Sequence, residues 1–596
     1  MKYCMFLLVL LFLLAALANA APGPSALIAN IPGRATVNLD GAWHAIVDPF
    51  EDGISEEYFR NEKPRNKSDR IEYSFDLSPV LNVPGDWNTQ REQLLFYEGP
   101  VWYRREFQHH KRVGMRTFVY LGAANYRAVV YLNGEKLGEH EGGFTPFNFE
   151  VTSLLREGYN FLIVEVDNTR KADALPALKY DWWNYGGITR EVALVEVPSV
   201  FIQDYWIQLA HGSQSEIAGW VQLNGTQSPQ QVTLEVPEVH LRQTVTTDAA
   251  GHANLRFPVK LELWSPDHPK LYDVALTSGS DTIHDQIGFR TVEVQGANIL
   301  LNGKPVFLRG ISMHDEAPFR EGRAFSLEDA QTLLGWVKDL GCNFVRLAHY
   351  PHTENEIRLA DRMGLLVWSE IPVYQDIDWQ SPATLANAQA QLREMIARDH
   401  NRAAIILWSL SNETPIEPAR LQFLKRLAQD ARELDSTRLI TSATDRLDEP
   451  AENARTLSDP LGEVLDVIGL NEYVGWYWLR PKDADTMQWK VKWNKPIIVS
   501  EFGGGAPFGL HGDADQRWTE EYQESLYQHQ LGMVERIPNL AGLSPWILMD
   551  FRAPSRVLPG VQDYHNRKGL ISNRGQRKLA FYVLQQYYRK LAAEGK

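Results

Sequence analysis

The second half of this chain alternates buried apolar runs with helical patterns, and no other feature constrains the fold as much. The apolar runs are "VFLRGIS", "NFVRLAHY", "LLVWSEIP", "AIILWSLSNE", "LITSAT", "VIGLNEY", "PIIVSEFGG" and "LSPWILMDF". Eight strand-and-helix units within about 300 residues are the count of a (β/α)8 barrel. The sequence therefore predicts a TIM barrel over residues 295–596.

The helical signal is uneven along this half of the chain. "SLEDAQTLLGWVKDLG" has Ser326 and Asp329 at the spacing of a capping box and Gly341 as a stop. The link between "VIGLNEY" and "PIIVSEF" has little helical pattern. A doubly wound open sheet is the alternative fold, but no glycine-rich phosphate loop follows the first strand. The barrel is therefore favoured.

The first half of the chain shows short alternating strands separated by Gly, Pro and Asn. "TFVYLGAANYRAVVYLNGEKLGEH" has two apolar runs and an Asn133-Gly134 turn, which is typical of a β-hairpin. A second block with strands such as "QVTLEVPEVHL" follows. These patterns predict two β-sandwiches in tandem, over residues 21–196 and 197–294.

Residues 1–20, "MKYCMFLLVLLFLLAALANA", combine one lysine, an apolar stretch and a small-residue end at Ala20. This pattern predicts a signal peptide cleaved after Ala20; an uncleaved anchor is the alternative, but the apolar stretch is short for a membrane span. Cleavage removes Cys4 and leaves only Cys342, which excludes an intrachain disulfide. We expect a periplasmic or secreted protein with no membrane span once the signal is removed.

The charge and the aromatic content indicate which partners suit the chain. A formal net charge of −15 argues against nucleic acid as a general partner. The 18 Trp and 23 Tyr residues suit stacking on the apolar faces of sugars, although large cores also use such residues.

Polar side chains collect where the predicted barrel strands end. "WSLSNETP" (408–415) directly follows the apolar run "AAIILW", and Glu501 ends the seventh run in the same way. A buried carboxylate is costly unless it is paired or used, and barrel enzymes take their catalytic groups from these strand ends. The ring comprises His314, Asp315, Arg346, His349, Tyr350, Glu370, Asn412, Glu413, Asn471, Tyr473, Glu501, Trp546 and Asp550.

Glu413 and Glu501 end the fourth and seventh strands, which face each other across a barrel mouth. Two facing carboxylates are the working groups of glycoside hydrolysis; a gap of about 5–5.5 Å gives retention and about 6.5–9.5 Å gives inversion. For either glutamate alone, a structural ion pair with Arg346 is an equal alternative. Glu370 is a rival acid, but no Asn precedes it.

"SLSNE", "PIIVSEFGG" and "NFVRLAHYPHTENEIRLADRMGLLVW" resemble glycoside hydrolase family 2, and "FYEGPVWYRREF", "NGEKLGEHEGGFTPF" and "IGFRTVEV" match its β domains. The resemblance implies an N-terminal jelly-roll, an immunoglobulin-like sandwich and a C-terminal barrel. It also implies that Glu413 is the acid/base, Glu501 the nucleophile and Asn412 a donor to the sugar 2-hydroxyl. Leu347-Ala348 departs from the family pattern but leaves Arg346 and His349 in place.

The basic stretch "HNRKGLISNRGQRK" bears on the sugar, because it follows the eighth run. It resembles the Asn-x-Lys element with which the β-glucuronidases of the family hold the substrate carboxylate, here Asn566 and Lys568. The implied activity is an exo-acting, retaining β-glucuronidase that releases terminal uronic acid from glycans or conjugates. A β-galactosidase is the alternative, since Gln562 replaces an Arg often found in glucuronidases. The remaining residues expected to bind substrate are Asp181, His314, Arg346, His349, Asn471, Tyr473, Tyr477 and Trp546.

Two rival classes stay open at this point. A non-catalytic carbohydrate-binding protein would be expected to have lost a carboxylate, and both Glu413 and Glu501 are present. A metal-dependent hydrolase could use His314 and His349, but no His-x-x-x-His or Cys-x-x-Cys spacing supports it. We expect a carbohydrate substrate, no metal and no cofactor, with a homo-oligomer as an open alternative to a monomer.

Overall fold

The computed structural model describes residues 25–64, 66, 68, 72–445 and 447–596. The predicted signal peptide, residues 1–20, lies outside the described residues. Along the described part of the chain, two β-sandwiches precede a (β/α)8 barrel, which confirms the predicted fold class. No helix in these ranges is both long and apolar enough to cross a membrane.

The first domain is a sandwich of a four-stranded and a six-stranded sheet. Its elements are β1 (Thr36–Asn38), β2 (Gly41–Val47), β3 (Val80–Val83), α1 (Trp87–Gln90), β4 (Pro100–His109), β5 (Met115–Leu121), β6 (Ala124–Asn125), β7 (Arg127–Leu132), β8 (Glu135–Glu141), β9 (Phe147–Glu150), β10 (Gly158–Asp167), β11 (Gly187–Ile188) and β12 (Val192–Pro198). The sheet orders are β1-β12-β5-β9 and β3-β2-β4-β10-β7-β8, with β11 and β6 as a separate pair. A buried aliphatic and aromatic cluster drawn from strands of both sheets forms the core.

The predicted hairpin is present in this domain. β7 pairs antiparallel with β8, and Asn133 and Gly134 between them both have positive φ, at 53° and 90°. Two successive residues with positive φ make the turn whose twist matches that of the strands, and Asn-Gly adopts it at the lowest cost.

The second domain has the seven strands of an immunoglobulin-like sandwich. They are β13 (Phe201–Leu209), β14 (Glu216–Asn224), β15 (Gln231–Val236), β16 (Leu241–Thr246), β17 (His252–Pro258), β18 (Tyr272–Ser278) and β19 (Asp281–Ile287). They form sheets of order β13-β14-β17 and β16-β15-β18-β19 around a buried apolar core.

A small antiparallel sheet of β20 (Val292–Gln295), β21 (Asn298–Leu301) and β22 (Lys304–Pro305) leads into the barrel. The predicted boundaries at 196 and 294 fall inside β12 and β20 respectively. The exact boundaries therefore stay predictions.

The barrel sheet is parallel and closed. Its segments are β23 (Leu308–Arg309), β24 (Ser312–Met313), β25 (Phe344–Leu347), β26 (Leu366–Glu370), β27 (Ile405–Asn412), β28 (Leu439–Thr444), β31 (Ile468–Asn471), β33 (Ile497–Glu501) and β34 (Leu540–Leu543). β23 pairs with β34 and β24 with β25, and β23 and β24 are two halves of one strand interrupted at Gly310 and Ile311. Gly310 N donates to Leu543 O and Arg346 N to Ile311 O, so the ladder continues through the interruption.

In the part of the barrel that the structure describes, six α-helices surround the sheet rather than eight. They are α2 (Leu327–Asp339), α3 (Glu354–Met363), α4 (Pro382–Asp399), α5 (Pro418–Leu434), α6 (Glu520–Val534) and α7 (Leu579–Ala593). The predicted capping box of Ser326 and Asp329 starts α2. After β28 and β31 the crossovers hold short 3-10 helices and a sheet of β29 (Asp448–Ala451), β30 (Ala454–Leu457) and β32 (Gln488–Val491). The weak helical pattern before "PIIVSEF" therefore corresponds to a crossover without an α-helix, and the crossover before it has none either, while the (β/α)8 fold class is confirmed.

The eighth strand also differs from the prediction. The apolar run "LSPWILMDF" was expected to be the strand, but β34 ends at Leu543. The run continues as buried irregular chain through Trp546 to Asp550, and two short strands follow, β35 (Phe551–Arg552) and β36 (His565–Asn566). An apolar run indicates burial, and this one is buried beneath the site without joining the sheet.

Loops of the first domain pack directly on the mouth of the barrel. Arg190 donates to Pro351 O at 2.7 Å and pairs with Asp315 at 3.3 Å. Phe144 stacks on Tyr350 with ring centroids 4.1 Å apart. The sandwich therefore supplies part of the wall around the barrel's carboxyl-terminal face.

Candidate active site

A cavity of about 610 Å³ opens at the carboxyl ends of the barrel strands. Its lining combines barrel residues with a loop of the first domain and comprises Arg170, Leu178, Lys179, Tyr180, Asp181, His349, Tyr374, Gln375, Glu413, Asp445, Asn471, Tyr473, Tyr477, Trp478, Glu501, Trp546, Pro554, Ser555, Arg556 and Lys568. Of the predicted site residues, His314, Arg346, Asn412 and Asn566 do not line the cavity and lie behind its wall.

Glu501 is held through both of its carboxylate oxygens. It ends β33, and Arg346 Nη1 donates to its Oε1 at 2.8 Å while Tyr473 Oη donates to its Oε2 at 2.7 Å. Burial raises the pKa of Glu501 to about 8, with a smaller contribution from the charge of Glu413, while Arg346 and Tyr473 oppose the rise. The inner end of the cavity therefore keeps one proton at neutral pH.

Arg346 joins the strand ends beneath the cavity and is itself fully buried. Its Nη2 donates to Glu370 Oε1 at 3.0 Å and to Asn412 Oδ1 at 2.8 Å. Burial opposes the charge of Glu370, but Arg346 and His349 lower the pKa of this carboxyl to about 2. Glu370 is thus a permanent anion that balances Arg346, which fits its interpretation as a supporting residue rather than the acid.

Glu413 follows the last residue of β27 and turns the chain out of the sheet. Its φ is 53°, in the left-handed region that costs a non-glycine residue free energy. Asn471 Nδ2 donates to Glu413 Oε1 at 2.9 Å and Gln375 Nε2 to Oε2 at 3.2 Å. Ser500 Oγ donates to Asn471 Oδ1 at 2.7 Å, and this hydrogen bond sets the orientation of the Asn471 amide.

The donors around the two glutamates differ in charge. Glu501 accepts from a guanidinium, whereas the amides of Asn471 and Gln375 that donate to Glu413 are neutral. A cationic donor favours the ionised form of its acceptor. The guanidinium of Arg346 therefore opposes the effect of burial on the pKa of Glu501.

One wall of the cavity is cationic. Lys568 Nζ donates to Tyr477 Oη at 2.6 Å, and Arg556 forms a bidentate ion pair with Asp181, with Nε to Oδ1 at 2.8 Å. Burial opposes the ionisation of Tyr477, but Lys568 and Arg556 lower the pKa of its phenol below the usual value. Such a phenol is a hydrogen-bond partner held between two cations.

Asn566 acts on this wall from behind it. Its Nδ2 donates to Asp181 Oδ2 at 2.9 Å, and its Oδ1 accepts from Lys568 N at 3.1 Å. Asn566 thus links the loop that carries Lys568 to the sandwich residue Asp181. Direct contact of Asn566 with substrate stays a prediction.

A buried ion pair anchors the loop that carries Lys568. Lys578 Nζ lies 2.7 Å from Asp550 Oδ1 and donates to Arg567 O at 3.1 Å. Asp550 Oδ1 also accepts from Gly569 N at 2.9 Å. Because both charges are fully buried, removing either would leave the other unpaired at high cost.

An aromatic wall encloses the inner end. His349 stacks on Trp546 with ring centroids 4.8 Å apart, and Trp182 of the first domain lies 5.6 Å from His349. His314 is buried behind them, with Nδ1 3.0 Å from Tyr350 Oη. Burial lowers the pKa of His314 well below its usual value, so this ring is neutral in the folded protein.

Sequence reasoning missed several lining residues, namely Arg170, Lys179, Tyr180, Tyr374, Gln375, Trp478 and Arg556. Arg556 bears on the identity of the sugar. Gln562 stands where glucuronidases often have an Arg, and Arg556 supplies a guanidinium to the cationic wall instead. The only sequence signal was the basic residue in "APSRVLPG" after the eighth run. Loop residues of this kind follow no periodicity.

Within the described part of the chain, one cluster has the spacing of a metal site. Ligand atoms of Asp315, His352 and Glu356 lie within 4.8 Å of one another, all buried. His352 Nδ1 is 2.8 Å from Glu356 Oε2, and Arg190 pairs with Asp315. These partners balance the charges of the cluster, which lies outside the cavity lining.

A closed barrel with a cavity-lining glutamate at the end of its seventh strand, and another just beyond the end of its fourth, defines a glycoside hydrolase. The profile described as "Glycosyl hydrolases family 2, TIM barrel domain" matches residues 292–592. The family's sugar binding domain matches 37–198, and the profile described as "Glycosyl hydrolases family 2" matches 200–290. The chain belongs to glycosyl hydrolases family 2.

Alignments with named relatives cover nearly the whole chain. A β-glucuronidase of Mus musculus is 28% identical over 94% of this chain and 92% of its own length. One of Paenibacillus borealis is 28% identical over 93% of this chain and 96% of its own. The solved structure of a β-glucuronidase from an uncultured Clostridium species superposes with a TM-score of 0.82 at 25% identity, covering 95% of this chain and all of that one.

Proposed function

We propose that this enzyme is an exo-acting, retaining β-glucuronidase. The observation that carries the proposal is the cation of Lys568 in the wall of the cavity that also contains Glu413 and Glu501. A hexuronic acid differs from the corresponding neutral hexose by a carboxylate at C6, and a carboxylate is recognised by cationic donors in a partly desolvated site. The β-glucuronidase relatives agree with this assignment.

Glu501 is the proposed nucleophile. Arg346 and Tyr473 stabilise its charge and aim its carboxylate from opposite oxygens. It attacks the anomeric carbon of the bound sugar while the leaving oxygen takes a proton from Glu413. The product of this step is a covalent glycosyl ester on Glu501.

Glu413 is the proposed acid/base. Once the ester has removed the charge of Glu501, Glu413 is ionised and takes a proton from the incoming water. Two displacements at one carbon return the original configuration. Asn412, which Arg346 orients at 2.8 Å, lies behind the cavity wall, and its donation to the 2-hydroxyl stays a prediction.

Lys568 is the proposed reader of the sugar carboxylate, with Tyr477 beside it. Asp181 is an acceptor for sugar hydroxyls on the same wall, where Arg556 and Asn566 hold it. Exo action is proposed with this assignment, because the resemblance to β-glucuronidases implies release of a terminal uronic acid.

A panel of aryl β-glycosides tests the glycone. The glucuronide should be hydrolysed with a kcat/KM at least about tenfold above that of the galactoside, since one charge-assisted hydrogen bond is worth about 1.5–3 kcal/mol. Proton NMR of the first product should show the β-anomer, which reports retention. A preference for the galactoside would make β-galactosidase the assignment, and an α-anomer would overturn the double displacement.

Two further proposals concern the context of the enzyme. The pattern of residues 1–20 supports export to the periplasm or the medium, which mass spectrometry of the mature amino terminus tests: it should begin at Ala21. The homo-oligomer left open by the sequence stays a prediction, and light scattering of the purified enzyme measures it.

A further inference from the structure

The cavity continues outward beyond the residues assigned to the reacting sugar. Three rings of one loop lead from the nucleophile to the mouth: Tyr473, Tyr477 and Trp478. The centroids of Tyr473 and Tyr477 are 5.1 Å apart and those of Tyr477 and Trp478 6.2 Å apart. Tyr473 is buried against Glu501, whereas Trp478 is 39% exposed.

The indole of Trp478 is held in place although it is exposed. Its Nε1 donates to Glu472 Oε1 at 3.2 Å, and the same oxygen accepts from Val474 N at 3.0 Å. Gly475 N donates to Trp478 O at 2.8 Å, which closes the loop. Since Glu472 is fully buried, this clamp is rigid, and the exposed face of the indole is a preformed surface.

A second apolar surface at the mouth comes from the first domain. Leu178 lines the cavity and is 51% exposed. Its carbonyl accepts from Arg170 Nη1 at 3.4 Å, and the Arg170 guanidinium lies 4.2 Å from the ring centroid of Tyr180. Glu98 holds Arg170 from the other side at 2.9 Å. Hydrogen bonds therefore hold the indole of Trp478 and the backbone of Leu178.

We propose that Trp478 and Leu178 form a leaving-group subsite that takes a ring with an apolar face. The inference rests on the proposed exo action, because in an exo-enzyme the group that extends from the reacting sugar to the mouth is the leaving group. Single exposed apolar side chains are ordinary, but here two line one cavity, come from different domains, and are held through the Trp478 indole and the Leu178 carbonyl. Aryl rings and the apolar face of a pyranose both offer this chemistry.

Three glucuronides test the subsite: methyl, which has no ring in the leaving group; phenyl; and a disaccharide with a neutral hexose. Trp478→Ala should lower kcat/KM about tenfold on the ring-bearing substrates, the factor given by about 1.4 kcal/mol of ring contact. The methyl glucuronide should change less than about twofold, since nothing of it reaches Trp478. Taking the variant-to-wild-type ratio for each substrate removes differences in leaving-group reactivity.

Phe508→Ala is the matched control, because Phe508 is 45% exposed and does not line the cavity. It should leave all three ratios near one. If Trp478→Ala does not fold, Leu178→Ser in the first domain should show the same selective loss. A loss on the phenyl substrate alone would identify aryl groups as the ligand, and a loss on the disaccharide alone would identify a sugar.

An equal loss on the methyl glucuronide, or no loss on any ring-bearing substrate, would overturn the subsite. If the enzyme prefers another glycone, the same three leaving groups are attached to that sugar and the ratios are measured again. The failure of the glucuronidase assignment and the failure of the subsite are therefore separate results.

Discussion

The inner end of the cavity and its cationic wall are built in opposite ways. Glu501 and Asn471 end parallel strands, and Glu413 follows the last residue of another. Lys568 and Arg556 lie on loops after the eighth strand, and their orientation depends on residues from elsewhere in the chain. A closed sheet positions the proposed catalytic groups, and loops position the groups that are proposed to select the sugar.

Glu501→Gln should have the largest effect, because it removes the attacking charge and preserves the shape. Turnover of every aryl glycoside should fall by at least about 10⁴-fold, the scale for the loss of a covalent nucleophile. The exposed Glu417→Gln is the control and should retain activity. A fluoro-sugar inactivator should label Glu501, and label on any other acid would contradict the proposed role.

Glu413→Ala should separate substrates by leaving group. Substrates with poor leaving groups need the proton and should lose about 10²–10⁴-fold, whereas activated aryl substrates should lose less in the first step. Azide should restore the second step and give a β-azide product, detected by NMR. An equal loss on both substrate types would argue that Glu413 has a structural function.

Lys568→Ala tests the cationic wall and leaves the residues of the inner end of the cavity unchanged. The glucuronide should lose about ten- to a hundredfold in kcat/KM, and an aryl galactoside should be almost unchanged. Lys179→Ala removes a second, exposed lysine of the same cavity and should have little effect on either. If both sugars fall together in Lys568→Ala, the loop is structural and the substrate assignment fails.

The acidic limb of the pH profile should distinguish the two regions. Burial and the charge of Glu413 raise the pKa of Glu501 to about 8, and the proposed nucleophile attacks only as the carboxylate, so its reactive form is lost as the pH falls below that value. The kcat/KM should fall about tenfold per pH unit below about pH 8. The limb should stay in place in Lys568→Ala, because Lys568 is not among the main causes of the shift. A limb that moves in Lys568→Ala would show that the charge of Lys568 acts on Glu501.

Arg556→Lys should produce the smallest effect. It keeps the charge but loses the bidentate geometry with Asp181, and a lysine cannot replace that fork. KM for the glucuronide should rise about three- to tenfold with kcat unchanged, which initial-rate kinetics measure. A fall in kcat alone would place Arg556 with the catalytic groups.

The sequence predicted the inner end well, because parallel strands end at one face of a barrel and the polar residue at each end is visible after an apolar run. Glu413, Asn471 and Glu501 all line the cavity, and their roles stay predictions. Arg346 and Asn412 lie one layer behind it, because their side chains join neighbouring strands beneath the cavity floor.

Other features could not be predicted, because they depend on contacts between distant segments. Trp478 lies in a loop folded around Glu472, and Arg556 faces the cavity because it pairs with Asp181 of another domain. The run "LSPWILMDF" was misread as a strand, because burial under a site and burial in a sheet leave the same apolar signature.

The loop that carries Asp181 and Trp182 belongs to the sandwich, yet it shapes the sugar pocket of the barrel. The two domains are therefore not interchangeable modules. A barrel transplanted onto the sandwich of a relative would inherit that relative's Asp181 and Trp182 positions along with its own catalytic glutamates. Substitutions in this loop of the sandwich therefore change the cavity of the barrel, and we expect the two domains to evolve together.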